Sequence, residues 1–450
     1  MSRTAYVTRT QTLLVVKPSH PLFKTIDDLS FKAKNIYNSA LYICRQNYFK
    51  SEKLIGYDTL NSLHKSTYTS DYKSLPSQTT QQILRVACQN MQSFIKAYKD
   101  YTKNPQKYKA KPKVPKYKHK QNGRFNLYFT NQQAKFKDGY IHFPKCTKIP
   151  PLKTHLNLPL PEKDEFYISD SVENPIRQVR IIPLLNCYRI EVVYEKEIQV
   201  PDPKETINCV ASIDLGINNF TAIVTYGPNS SRPLLLNGKG LKSYNKNFNK
   251  KLAHLKSKSM LSNKKHTTKA IKNLISKRNR VYNDFYHKAS RTIVNYLLKN
   301  EVQILIIGYN KGWKQNSPLS KNVNQTFIQL GFNTFIQMLT YKAEEQGIIV
   351  KLQPEAYTSG TSFLDKEPAT KEYYNKSRRI KRGLFKHGNQ TDFKHQYINA
   401  DINSAFQILS KSTNNKLKYD SKFITQQSIT PHVINIDTFK RTKLSQKKVS

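Results

Sequence analysis

Three carboxylates stand where an acid is costly unless something holds it. Asp214 ends the run Cys209-Val210-Ala211-Ser212-Ile213, which is nearly all apolar or small and reads as a strand buried on both faces. Glu355 follows the strand Ile348 to Leu352, within Pro354-Glu355-Ala356-Tyr357-Thr358-Ser359. Asp401 opens a short helix in Ile398-Asn399-Ala400-Asp401-Ile402-Asn403-Ser404-Ala405-Phe406. An ionised carboxyl at the end of a buried strand needs a partner charge or a cation. Taken singly, the three suit a turn cap, a solvated loop acid and a helix cap. Taken together at one end of a sheet, they would gather hard divalent cations, Mg²⁺ first and Mn²⁺ as the alternative. Two such ions roughly 3.5–4 Å apart can activate a water and stabilise the leaving oxygen of a phosphodiester.

The elements that must position these acids follow a recognisable order. After Asp214, Gly216 and Asn218-Asn219 are turn residues, Phe220 to Tyr226 is a second strand and Pro233 to Leu236 a third, ending at Asn237-Gly238. A long helical region from about Lys242 to Lys299 carries the stripe Ile271, Leu274, Ile275, Tyr282, Phe285, Ala289, Ile293 and Leu297. Its outward face carries Lys264, Lys265, Lys269, Lys272, Lys277, Arg278 and Arg280, which suit either the clamp of a duplex or a solvated helical pair. Val302 to Ile307 is a buried strand ending in Gly308-Tyr309-Asn310, with Trp313 close behind, and a helix from about Asn324 to Gln346 precedes the strand before Glu355. Residues 365–397 read as irregular and basic, and the chain from about Asn414 onward as a polar, loosely ordered tail. Three consecutive strands, then helix, strand, helix, strand, helix is the order of an RNase H-like α/β fold, in which acids converge at one end of the sheet.

The preceding half is different. Thr12 to Val16 is a short strand stopped by Lys17-Pro18, and about Thr25 to Phe49 shows helical spacing at Leu29, Ala33, Ile36, Tyr37, Ala40 and Cys44. A second helix opens at Leu75-Pro76-Ser77, with Ser77 as N-cap and the stripe Ile83, Val86, Ala87, Met91, Phe94 and Ile95. Gln78, Gln81, Gln82 and Gln89 lie on or near its polar side; glutamines can read adenine edges, and they equally suit a solvated face. Residues 101–120, YTKNPQKYKAKPKVPKYKHK, are a basic linker whose three prolines exclude regular structure. Lys111, Lys113, Lys116, Tyr117 and Lys118 are its candidates for contact with phosphates along an extended arm. From Phe125 to Val200 the pattern is β, with a hairpin at Asp138-Gly139 and another between Ile176–Ile182 and Cys187–Tyr194. These strands, completed by the one at Thr12 to Val16, predict a small barrel or curled sheet into which the helices are inserted.

The composition fits a polyanionic partner. The 450 residues carry 75 Lys and Arg against 30 Asp and Glu, a net charge of +45 that would repel itself in an isolated compact chain. The 28 Tyr and 21 Phe interleaved with Lys suit base stacking beside backbone contact. Five scattered cysteines, none after Cys209 and none in a Cys-x-x-Cys pair, argue against both a disulfide framework and a zinc ribbon. No apolar run is long enough to span a membrane and the N-terminus has no signal-peptide core, so a soluble, intracellular protein is expected.

Five stretches in order, IDLGINNF (213–220), IIGYNKGWKQ (306–315), PEAYTSGTSFLD (354–365), RRIKRGLF (378–385) and NADINSAFQIL (399–409), resemble the TnpB and Fanzor family. These are transposon-encoded, RNA-guided DNA endonucleases with a RuvC-like domain, related to type V CRISPR effectors. LPSQTTQQIL and KPKVPKYK extend the resemblance more loosely into the first half. The resemblance implies a wedge-type β-barrel at 1–20 and 121–203, interrupted by a helical recognition insert and basic linker at 21–120. A RuvC-like nuclease domain would follow at 204–413, with the basic helical hairpin at 242–299 and a metal-free ribbon-like loop at 360–397, and then a basic tail at 414–450. Asp214 and Asp401 match the first and third acids of the family. Where the commoner pattern has Glu, this chain has Gly308; it resembles instead the subgroup whose Glu lies before Tyr-Thr-Ser, which is Glu355. No zinc is expected. Arg378, Arg379, Lys381 and Arg382, with Lys264, Lys265, Lys277, Arg278 and Arg280, are the residues expected on nucleic acid. Asp365 reads as a loop cap. The implied partners are a guide RNA and double-stranded target DNA, in the cytoplasm or nucleoid of a prokaryote or the nucleus of a eukaryote. The alternative within the same family is a nuclease-inactive, RNA-guided DNA-binding regulator.

Overall fold

The computed structural model describes residues 2–51, 53–154, 176–201, 209–263, 266–310, 325, 329–381, 383–388, 397–414, 420 and 422–436. It divides into two units, residues 5–198 and residues 1–4 with 199–450.

The first unit combines four helices with two small sheets. Strand β1 (Ser2–Val16) is followed by α1 (Phe23–Ser51), α2 (Tyr57–Thr67), α3 (Thr69–Lys73) and α4 (Ser77–Lys103). The expected stripe of α1 is the buried one: Ile26, Leu29, Ala33, Ile36, Tyr37, Ala40 and Cys44 recur every three or four residues and pack against Ile83, Ala87 and Met91 of α4. Ser77 is the first helical residue of α4 and not its cap; Pro76 holds the cap position and makes no side-chain bond there. Proline suits a helix entrance because its fixed φ leads into the first turn. Strands β2 (Leu127–Thr130), β3 (Lys135–Lys137), β4 (Tyr140–His142), β5 (Leu152–Lys153), β6 (Ile176–Pro183) and β7 (Tyr188–Pro201) come next. The four-stranded sheet has the order β1-β7-β6-β2, so the N-terminal strand does join the later ones; it is longer than the expected Thr12–Val16. Strands β3, β4 and β5 form a separate sheet. The β3–β4 turn has φ of 51° at Asp138 and 76° at Gly139, the paired positive values a two-residue hairpin needs. Asp27 of α1 ties the unit together. It accepts from Arg124 Nε at 2.8 Å and Nη2 at 2.6 Å, and from the Tyr188 hydroxyl at 2.5 Å.

The second unit is a six-stranded sheet with helices on both faces. Its strands are β8 (Val210–Leu215), β9 (Asn219–Tyr226), β10 (Leu234–Asn237), β11 (Ile304–Gly308), β12 (Ile349–Gln353) and, beyond a two-stranded hairpin of β13 (Leu384–Lys386) and β14 (Tyr397–Asn399), β15 (His432–Ile434). The order is β12-β11-β8-β9-β10-β15. β8, β11 and β12 run parallel and β9 is antiparallel to its neighbours. Helices α5 (Lys239–Asn263), α6 (Lys269–Lys299), α7 (Phe332–Glu344), α8 (Ala400–Ser412) and α9 (Gln426–Ile429) complete it. α6 and α7 cover one face with Phe285, Ile293, Phe335 and Leu339 against Ala211, Ile213, Leu305 and Ile307. On the same face Phe220 is the hub of an aromatic nest, 4.7 Å from Phe335, 4.9 Å from Phe285 and 5.5 Å from Phe332. α8 covers the other face, where Ile304 and Ile306 meet Ile408 and Leu409, and Ser212 Oγ donates to the Ala405 carbonyl at 2.6 Å. The period of two therefore sends 211, 213, 305 and 307 one way and 212, 304 and 306 the other.

Two expectations need correction. Residues 365–397 are not wholly irregular, since β13 pairs with β14 in antiparallel register, Phe385 opposite Ile398. Nor is the chain after Asn414 all tail: Ile424 and Ile429 are buried, and β15 pairs in parallel with β10. Leu234, Leu235 and Leu236 of β10 make an apolar edge that would otherwise be open to pairing with another chain, and three residues of β15 suffice to cover it. Residues 415–419, 421 and 437–450 lie outside the described residues.

Candidate metal centre and nucleic-acid residues

Asp214 is the last-but-one residue of β8, on the face that Ser212 turns toward α8. Asp401 lies in the first turn of α8, whose N-cap is Asn399: its side-chain oxygen accepts from Asp401 N at 3.0 Å and Ile402 N at 3.2 Å. Because Asn399 does the capping, the Asp401 carboxylate is left for other work. It accepts from Asn219 Nδ2 at 2.7 Å and pairs with Arg379 Nη2 at 3.3 Å. Glu355 stands two residues beyond β12, held by Asn310 at the end of β11.

The place of the absent strand acid is visible in the register. Ile307 pairs with Ile213, so Gly308 is the next residue beside Asp214. A Cβ on Gly308 would lie 2.5 Å from Glu355 Oε1, 2.9 Å from Glu355 Cγ and 2.6 Å from Ile408 Cδ1. Glu355 thus reaches back over the next strand into the space a side chain at 308 would fill.

The electrostatics agree. Burial holds the Asp214 carboxyl well above its usual range, the charges of Glu355 and then Asp401 push it further, and Arg379 opposes them. Burial pushes Glu355 up to about 7. Its Oε1 is buried with no hydrogen-bond partner among the described residues. Three oxygen-bearing acids in one field, one with an orphaned oxygen, fit a hard divalent cation in their donor chemistry. As placed, no three His, Cys, Asp or Glu side chains among the described residues stand close enough to hold an ion. Like charges without a cation repel, and Asp401 is drawn to Asn219 and Arg379.

The basic candidates divide by what already holds them. Arg278 bonds Asn245 Oδ1 and the Gln329 carbonyl and lies 4.0 Å from the Tyr282 ring centre, so it staples α5 to α6 instead of facing solvent. Arg378 bonds Glu367 at 2.7 Å and Asp365 at 3.3 Å. Asp365 is more than a loop cap, since it also accepts from Gly388 N at 2.7 Å, while Glu367 accepts from Ser362 N. Arg378 therefore closes the segment 360–388 from within. Arg379 pairs with Asp401. Lys277, Arg280 and Lys381 are exposed. Lys264, Lys265, Arg382 and Trp313 lie outside the described residues. Replacing Arg378 with Ala leaves two partly buried carboxylates unpaired and should lower stability by about 3 kcal/mol, read from urea unfolding of the two proteins.

Contrary to the expectation from its prolines, the linker is not free of regular structure: residues 101–103 end α4 and Pro105–Lys107 form a 3-10 turn, which proline enters readily at its first position; only beyond them is it extended and strapped along α1. Asn38 Nδ2 donates to the Lys118 carbonyl at 2.9 Å, and its Oδ1 accepts from Lys118 N at 2.8 Å. Lys34 Nζ donates to the Lys120 carbonyl and Arg45 lies over the Tyr117 ring. With the backbone held this way, Lys111, Lys113, Lys116, Tyr117 and Lys118 remain exposed. Gln78 is partly spent, bonding Gln132 and Thr130; Gln81 and Gln82 are half-buried.

Among the described residues no helix is long and apolar enough to cross a membrane. The family described as OrfB_IS605, probable transposase, matches residues 191–314, and the Cas12f1-like TNB domain matches residues 332–408. No curated protein matches the sequence. Of the solved structures, the cryo-EM structure of the Cas12f1-sgRNA-target DNA complex is similar with a TM-score of 0.52 and 14% identity, over 86% of this chain and 82% of that one. The mini-RNA-guided endonuclease CRISPR-Cas_phi3 gives 0.41 and 11%, over 93% of each chain. The first of these shares the fold at a low identity; the second falls short of that level. Two successive stretches of the chain, residues 191–314 and 332–408, are thus similar in order to an OrfB_IS605 probable transposase and to a Cas12f1-like TNB domain.

Proposed function

We propose that this chain is an RNA-guided DNA endonuclease of a transposon, which pairs a guide RNA with target DNA beside a short protein-read motif and hydrolyses the DNA with Asp214, Glu355 and Asp401. The observation that carries the reading is Glu355 lying over Gly308, which brings a third acid into the field of Asp214 and Asp401 from a neighbouring strand end. Bound divalent cations, Mg²⁺ or Mn²⁺, would supply the activated water and the charge that stabilises the leaving oxygen. Asp214 and Glu355 hold them from the ends of β8 and β12, and Asp401 from the first turn of α8. Asn219 orients the Asp401 carboxylate, and Arg379 balances it until cations bind.

The net charge of +45 and the exposed Lys111, Lys113, Lys116, Lys118, Lys277, Arg280 and Lys381 support nucleic-acid partners, guide RNA and duplex DNA, bound mainly through the backbone. In the same reading, β1 to β7 form the wedge interrupted by the helices α1 to α4, and residues 204–413 form the RuvC-like domain. The protein would work inside the cell, where its nucleic acids are. The glycine at 308 is what favours the alternative, a nuclease-inactive RNA-guided regulator.

The test is to express the chain with a guide RNA and purify the complex. The RNA that stays bound is sequenced, and cleavage of plasmids with and without the matching target is measured in Mg²⁺. Guide-dependent cleavage is expected. Stable guided binding without any cleavage supports the regulator, and cleavage indifferent to RNA defeats both readings.

A further inference from the structure

We propose that Asn310 is a positioning residue that fixes Glu355 on the metal centre, and that Gly308 is the space admitting it; this rests on the reading of Glu355 as a cation ligand. Asp214 and Asp401 sit inside a strand and a helix, whose backbones hold them. Glu355 sits on a loop beyond the edge strand, where nothing in the ladder fixes its side chain. Asn310 supplies what is missing. Its Oδ1 accepts from Glu355 N at 3.0 Å and its Nδ2 donates to Glu355 Oε2 at 3.3 Å, so one amide fixes both the backbone and the carboxylate. Tyr309 N donates to the Gln353 carbonyl at 2.8 Å, which locks the two strand ends beside this clamp.

The clamp is also selective between the two carboxylate oxygens. Oε2 is bonded to Asn310, while Oε1 is buried without a partner and is the atom that lies over Gly308, beside Asp214. An amide suits the task because it offers an acceptor to the N–H and a donor to the carboxylate at once. Neither Asp nor Leu at 310 could do both. Any side chain at 308 would compete for the volume that Oε1 and Cγ of Glu355 occupy. The atoms that a Cβ at 308 would meet are the mobile ends of Glu355 and Ile408, so Gly308→Ala can be accommodated by displacing them, with the fold retained.

The experiment uses the full chain loaded with guide RNA and measures Mn²⁺ binding by paramagnetic resonance, alongside the rate of cleavage against Mg²⁺ concentration. The variants are Asn310→Ala, Gly308→Ala, Glu355→Ala, Asn310→Ala with Glu355→Ala, and Gly308→Ala with Glu355→Ala. Asn310→Ala and Gly308→Ala should each weaken Mn²⁺ about tenfold, as loss of an outer-shell partner does, with much of the cleavage rate recovered at high Mg²⁺. Neither should weaken Mn²⁺ further once Glu355 is Ala, because a positioning residue with nothing to position has no effect. If Asn310→Ala does not fold, the Gly308→Ala pair carries the same comparison. Parental Mn²⁺ affinity in both single variants, or effects that add to that of Glu355→Ala, overturn the proposal while leaving Glu355 a ligand. Parental affinity in Glu355→Ala overturns the underlying reading of the site instead.

Discussion

Guide-loaded Asp214→Asn protein should bind its target DNA with parental affinity and cut it about 10³–10⁴-fold more slowly, with no recovery at high Mg²⁺. Asparagine keeps the shape at the end of β8 and removes the charge. The structure tolerates that exchange, since Asp214 is held far above the usual carboxylate range by burial and by the two acids facing it. In the metal-free fold that carboxyl is kept protonated, so a neutral amide of the same shape replaces it without breaking the fold. The loss therefore belongs to chemistry and not to folding. Filter binding and single-turnover cleavage separate the two, and a variant that cuts at the parental rate removes Asp214 from the metal centre.

Glu355→Gln should lose cleavage to about the same degree and, in addition, change how stability depends on pH. In the metal-free fold Glu355 titrates at about 7, above its ordinary 4.5. Between those values the folded chain holds a proton that the unfolded chain has released. Stability contributed by the neutral carboxyl is complete below pH 4.5 and is lost as the pH rises through 7, by about 3 kcal/mol. Glutamine has no proton to lose, so the variant should lack this decline, and at pH 8 without metal it should be the more stable protein. Urea unfolding of both proteins at pH 5 and pH 8 in a chelator provides the comparison. A parental decline that persists in Glu355→Gln would mean that the burial of this carboxylate is not what sets the slope.

What could be read from the sequence was what regular structure dictates. Asp214 and Asp401 were legible because an apolar run ending in an acid, and an acid at the start of an apolar helix, each state a position. Which residues share a face with Asp214 was not legible, because β8 and β11 are apolar on both faces and show no alternation. Glu355 could be placed after its strand, but its part in the set rested on resemblance, because a loop acid beside Pro354 carries no periodic signal. Asn310 escaped notice for a related reason: an Asn just after a strand looks like any turn residue, and its partner is 45 positions away. The partners of the basic residues were equally hidden. Arg278 and Arg378 look like surface charge in sequence, yet the residues that claim them, Asn245 and Gln329 or Asp365 and Glu367, lie at distances no local pattern marks. β15 was missed because three residues are too few to show alternation within a polar stretch.

The closure of the segment 360–388 by Arg378, Asp365 and Glu367 changes what this region answers to in a cell. A segment held by thiolates around an ion fails when the ion is scarce or the thiols are oxidised. This one contains no cysteine, and its bonds run between a guanidinium and two carboxylates. Its integrity is then set by acidity and ionic strength. If the proposed metal centre is right, a chelator should silence the protein without dismantling this segment, and returning magnesium alone should restore it. Within 360–388, then, salt and pH are expected to matter where thiol oxidation would not.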